Sequence, residues 1–188
     1  STVIMNALDS AQVGALTSEQ IGQLSGTQLS ALNTTSSDIM GALETEDIDG
    51  LSTLQVRNLS TTLVAALNTE QVKSLRTTSL AVMSYQQINS FDDDAFAEMG
   101  SSQIQALTSI QISRLDSDRL ASISLDQIGY LQSSQLAALT TAQFDQLDSD
   151  QIQSLSSTQV ASLSYGQLNA LGTAEVAALD TEHVADMT

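Results

Sequence analysis

The 188-residue chain sets 22 Asp and Glu against 5 Lys and Arg, a net charge of −17, and contains one His and no Cys, Pro or Trp. Five cations cannot track a phosphate backbone, so nucleic acid is excluded as a partner, and the negative charge repels an anionic membrane. Disulfides, thiolate metal sites and imidazole clusters are excluded by the missing Cys and the single His, and the composition points away from an enzyme.

Ser and Thr supply 28 and 19 residues, a polarity that ordinarily marks disorder. Here 41% of the residues are hydrophobic, and they recur at fixed intervals. No apolar run approaches the ~20 residues of a membrane span, and no secretory signal pattern is visible. The chain starts at Ser1, as expected of a processed or excised segment.

In chain order, residues 1–32 divide into four octads: STVIMNAL, DSAQVGAL, TSEQIGQL and SGTQLSAL. An eleven-residue unit, NTTSSDIMGAL (33–43), interrupts them and is expected to form a local bulge. From Glu44 a period of eight holds without a break to Met187. The whole of 1–188 therefore reads as one octad-repeat domain. Position 8 is Leu in 18 of the 23 units; Met83, Phe91, Met99, Ile123 and Met187 are the exceptions. Position 5 is apolar in every regular unit, and position 4 is Gln in 14 of the 22 regular units, which fixes the register.

Strict alternation is absent, so the octad is not a strand. The three-residue spacing between positions 5 and 8 suits one helical turn. A continuous helix fails, because eight residues advance about 800° and the apolar pair would rotate by about 80° per octad. Coiled coils need sevens or elevens. The helix must stop and restart in each octad, and the sequence supplies the restart. Ser, Thr, Asp or Asn at position 1 with Gln at position 4 is a capping box, as in Thr17 with Gln20, Thr140 with Gln143 and Ser156 with Gln159. Helical turns are expected over positions 2–7, broken around 8 and 1. Helices this short persist only by stacking on neighbouring copies. The predicted fold class is all-α: a repeat solenoid of very short helices, one per octad.

From 57 to 114 the octads alternate. Position 6 reads Arg57, Ala65, Lys73, Ala81, Asn89, Ala97, Gln105, Ser113, and position 4 alternates Gln with Leu63, Ser79 and Ala95. This sixteen-residue superperiod predicts about two octads per coil, one on each side of a thin core.

The acidic clusters come next. Asp92, Asp93 and Asp94 are consecutive, Asp116 and Asp118 bracket Ser117, and Asp148 and Asp150 bracket Ser149. A calcium loop needs further oxygen ligands and a turn Gly, which do not follow. Asp at position 1 is expected to cap a helix instead, with weak surface calcium binding the other reading. The Gln column is either a hydrogen-bonded ladder along the array or a set of independent caps. Tyr85, Tyr130 and Tyr165 are packing residues or sugar-stacking residues. His183 stands in the Gln slot of the last octad, near Glu182 and Asp186, and is expected to be a tolerated substitution. No catalytic, cofactor or metal residues are predicted, and no cofactor.

Units such as LTSEQIGQL (16–24), LTTAQFDQL (139–147) and LSSTQVASL (155–163) resemble the L-[ST]-[ST]-x-Q-[IV]-x-A-L arrays of very large bacterial secreted and surface proteins. Those look like adhesin-type or extracellular-matrix chains. The resemblance covers essentially the whole chain. It implies an extracellular or cell-surface setting.

The expected function is structural: a rod, spacer or filament-forming segment, without membrane insertion. The alternative is an adhesive module that recognises glycan or protein along its long face. The first octad carries Val3, Ile4, Met5 and Leu8, and the last still has Val184 and Met187 in the core columns. Both ends are thus expected to present unfilled cross-sections. Either end-to-end self-association or the flanking repeats of a longer array would cover them.

Overall fold

The computed structural model describes residues 1–32 and 38–179. The start of the eleven-residue unit, residues 33–37, and the last octad with His183 lie outside the described residues. The described residues form very short α-helices and no strands. They fall into two compact units, Ser1–Met99 and Gly100–Thr188.

The first unit opens with α1 (Thr2–Asn6), α2 (Ser10–Gly14), α3 (Ser18–Gln23) and α4 (Gly26–Ser30). It continues through α5 (Asp38–Gly41), α6 (Thr45–Gly50), α7 (Thr53–Arg57) and α8 (Thr61–Ala65). It closes with α9 (Thr69–Ser74), α10 (Thr77–Val82), α11 (Tyr85–Asn89) and α12 (Asp93–Ala97). The second unit begins with α13 (Ser101–Ala106), α14 (Ser109–Ile112), α15 (Ser117–Ala121), α16 (Leu125–Tyr130) and α17 (Ser133–Leu136). It ends with α18 (Thr141–Phe144), α19 (Ser149–Gln153), α20 (Ser157–Ala161), α21 (Tyr165–Ala170) and α22 (Thr173–Ala178). Each helix belongs to one repeat unit, and α7, typically, covers positions 2–6 of its octad, as the capping pattern predicts.

Each helix starts at its cap and stops within two turns. Ser84, at φ −72° and ψ 157°, is the extended N-cap of α11, and Asp148 and Thr140 do the same for α19 and α18. At the other end, the amide of the position-8 residue bonds back three residues, as Leu75 N–H does to the Val72 carbonyl at 3.1 Å. The chain then turns extended; Leu75 has φ −60° and ψ 126°. No described residue takes a positive φ, glycines included. The usual left-handed glycine cap is thus unused here, and the C-terminal carbonyls must find other donors.

Positions 5 and 8 form the core. Val56, Leu59, Val64, Leu67, Val72 and Leu75 are buried in the first unit, and Ile128, Leu131, Leu136, Leu139, Phe144 and Leu147 in the second. A five-residue helix with two buried side chains cannot stand alone in water, so its stability comes from the neighbouring turns of the solenoid.

The pitch differs from the sequence expectation of two octads per coil. In the first unit each of α1–α4 packs on the helix three further along, and so do α6–α9. In the second unit α13 packs on α16, α14 on α17, and each of α16–α19 on the helix three later. Side-chain bonds described below reach four octads, so one turn of the superhelix takes between three and four. The physical reason is enclosure. Two helices back to back leave the sides of their apolar seam open to water, whereas three or more surround the position-5 and position-8 side chains. The sixteen-residue alternation survives in another direction. A four-octad step joins octads of the same class, so alternate octads form separate hydrogen-bonded series.

Candidate functional site

The most regular polar feature is the Gln at position 4. In a capping box its amide oxygen receives the N–H of the N-cap residue. Ser84 N–H donates to Gln87 Oε1 at 2.8 Å, and Gln87 N–H donates to Ser84 Oγ at 3.2 Å. That leaves the two protons of Nε2. They are directed to the preceding turn, where Gln87 Nε2 donates to the carbonyls of Val56 at 2.9 Å and Leu59 at 2.8 Å. Those are positions 5 and 8 of the octad four earlier: the Val56 carbonyl, which also accepts from the Leu59 N–H at 3.2 Å, and the Leu59 carbonyl just past the end of α7.

The same clasp recurs along both units. In the first, Gln55 holds Ile21 and Leu24, and Gln71 holds Met40 and Leu43. In the second, Gln135 holds Ile104 and Leu107, Gln143 holds Ile112 and Leu115, Gln159 holds Ile128 and Leu131, and Gln167 holds Leu136 and Leu139. Gln151 reaches Ile123 at 2.9 Å. In some octads the cap hydroxyl adds a fourth bond, as Ser52 Oγ–H donates to Gln55 Oε1 at 2.8 Å. A buried primary amide is then saturated, with two donors and two acceptor positions used. Small residues at position 7 close one more carbonyl. Ser74, Ser90, Ser154 and Ser162 each donate to the position-4 carbonyl three residues back.

Sequence reading left ladder and independent caps as alternatives; the Gln side chain is both at once. The missed signal was Gln against Glu. A capping box accepts either, yet this acidic chain uses Glu in that slot once, at Glu175. Only the amide can also donate to a carbonyl.

Exposed ion pairs follow the same two directions. Arg76, the N-cap of α10, donates Nε–H and NH2–H to Asp49 of α6 at 2.9 Å each, four octads apart. Lys73 of α9 lies 2.8 Å from Glu98, three octads on, and 3.5 Å from Glu70. The hydrogen bonds from Arg76 hold the Asp49 carboxyl below its ordinary range. Those to Glu98 hold the Lys73 ammonium above its own.

The acidic clusters are distributed among caps. Asp92 accepts from the Asp94 N–H at 3.1 Å, Asp116 from the Arg119 N–H at 2.9 Å and Asp148 from the Gln151 N–H at 2.8 Å. Asp93, Asp118 and Asp150 sit in the first turns of α12, α15 and α19. Among the described residues no three His, Asp or Glu side chains are grouped to hold a metal ion. Tyr85, Tyr130 and Tyr165 lie on α11, α16 and α21, three separate octads, and Tyr165 is 82% exposed. No helix of the described residues is long and apolar enough to cross a membrane.

Residues 40–77 and 128–165 match the ALTTAQ repeat family. The second segment contains the sequence itself, from Ala138 through Leu139, Thr140, Thr141 and Ala142 to Gln143. Its structural content is now explicit: Leu139 is core, Thr140 the cap, and Gln143 the clasp to Ile112 and Leu115. The chain is a repeat protein, and those two segments are similar to this family. No curated protein matches it.

Proposed function

We propose that this chain is a structural array, a rod, spacer or filament-forming segment of a bacterial surface or matrix protein, without catalytic activity. The supporting observation is the repetition of one clasp from Gln55 to Gln167 within each unit. Polar groups that an enzyme would converge on a substrate are spent here on neighbouring turns. The extracellular setting rests on the resemblance of the octads to those of large surface proteins. Absence of Cys and the acidic, hydroxyl-rich exterior accord with it.

The test is immunogold labelling of intact source cells with an antibody against 1–188. Surface label is the expected result; label only after permeabilisation overturns the reading. A glycan array with the purified chain addresses the adhesive alternative. Saturable binding lost on Tyr165→Ala would replace the spacer with a recognition module.

A further inference from the structure

The two hydrogen-bonded series of the first unit are unequal. In α7, α9 and α11 position 4 is Gln, and Gln55, Gln71 and Gln87 each hold two carbonyls of the octad four earlier. In α8, α10 and α12 that position is filled by buried Leu63, Ser79 and Ala95. Gln71 reaches back 31 and 28 residues. The same spacing assigns Ile48 and Leu51 to Ser79, and Val64 and Leu67 to Ala95, neither of which carries an amide to donate. Leu51 and Leu67 are each 2% exposed, and no donor among the described residues reaches their carbonyl oxygens. Position 7 repeats the asymmetry. Ser74 and Ser90 close a further carbonyl in α9 and α11 at 2.8 Å, whereas Gly50, Ala66 and Val82 stand there after α6, α8 and α10. Between α6 and α10 the link across the turn is an ion pair instead: Arg76 on Asp49, both side chains about half exposed.

We propose that the first unit has one firm seam and one yielding seam: the even-numbered series opens locally to water, below the free energy of global unfolding, while the clasped odd-numbered series holds the register. The proposal deepens the structural reading above and rests on it, since it gives a load-bearing segment a place to yield. The physical reason is the balance of hydrogen bonds. Opening lets water donate to the Leu51 and Leu67 carbonyls, which are buried without a donor when the seam is closed. Opening the odd series breaks two amide bonds per octad and only replaces them with bonds to water. The link between α6 and α10 is also sensitive to its solvent. A buried amide on two carbonyls is indifferent to salt, whereas an exposed ion pair is screened by it. Ionic strength therefore sets how readily this seam gives.

Hydrogen exchange of the intact chain, read at single amides by NMR, tests the seam. The Leu51, Leu59 and Leu67 N–H groups make equivalent bonds, to the carbonyls of Ile48, Val56 and Val64 at 3.2–3.3 Å. Only the Leu59 site is clasped, by Gln87. After correction for intrinsic rates, Leu51 and Leu67 should exchange about tenfold faster than Leu59, or more. Added salt should speed Leu51 relative to Leu59. Arg76→Gln, which leaves the core untouched, should do the same at low salt and remove the salt response. Ser79→Gln and Ala95→Gln supply the missing donors and should slow Leu51 and Leu67 respectively, with Leu59 unmoved. Equal exchange at the three amides overturns the yielding seam. So does a Leu51 rate that neither salt nor Arg76→Gln changes. So do Gln variants that keep the wild-type circular dichroism yet slow neither amide. Each of these results leaves the surface-labelling test of the structural reading untouched.

Discussion

Gln87 Nε2 stands 2.8 Å from the Leu59 carbonyl oxygen, 28 residues earlier in the chain. Gln87 also caps its own helix through Oε1. One side chain therefore starts one helix and finishes another, so the start of each clasped helix is coupled to the turn before it. Replacing Gln87 by Glu keeps the cap, removes both donors and sets a charge against two buried carbonyls. The expected cost is about 2–5 kcal/mol. Gln12→Glu, whose amide donates to nothing among the described residues, should fall within about 0.5 kcal/mol of wild type. Urea unfolding of the two variants checks this, and equal costs would remove the clasp from the account.

Leu139 and Thr140 are neighbours with different duties. Leu139 is 3% exposed in the core column, and Leu139→Ala should cost about 2–5 kcal/mol. Thr140 accepts from the Gln143 N–H at 3.2 Å, and Thr140→Ala should cost about 0.5–2 kcal/mol. If both proved harmless, the register would be wrong.

Gly26 and Gly129 both stand in helices and should respond in opposite directions. A Cβ built on Gly26 would lie 2.6 Å from Asn58 Cβ, three octads on, whereas one on Gly129 meets nothing within 4 Å. Gly26→Ala is expected to destabilise by about 1–3 kcal/mol through overpacking. Gly129→Ala, at an exposed position of α16, should stabilise by up to about 1 kcal/mol. Thermal melts of the pair test the three-octad contact directly.

The Arg76–Asp49 pair gives a pH dependence of known sign. Asp49 has its folded pKa depressed, so its contribution to stability is present above the unfolded carboxylate pKa. It is lost as pH falls through the depressed folded value. Arg76→Gln should therefore lower stability slightly at neutral pH. The difference from wild type should vanish well below the usual Asp value of about 3.9. A difference that grew on acidification would contradict the pairing. High salt should shrink it at neutral pH, because both side chains are exposed.

Divalent cations give a further check. With Asp92, Asp116 and Asp148 engaged as caps, the melting temperature should be the same in chelator and in calcium. A fall of more than about 10 °C on removing calcium would restore a binding role to these clusters.

The sequence by itself determined the local structure, and the reasons are short-range. A cap at position 1, Gln at position 4 and apolar residues at 5 and 8 force a helix of one to two turns to begin and end within each octad. Every one of those preferences acts over four residues or fewer. The core columns were legible for the same reason, since Val56 and Leu59 sit where the period places them. The tertiary structure alone decided the pitch. Two octads per coil accounted for the alternation of Gln55, Leu63, Gln71 and Ser79 equally well on paper. A period states that octads differ, without stating which of them touch. That choice was made by the geometry of enclosing two buried side chains per helix, which takes more than two helices, and by the reach of one glutamine amide. Gln71 Nε2 finds the Met40 and Leu43 carbonyls only because a turn of three to four octads brings them within 2.6 and 2.8 Å.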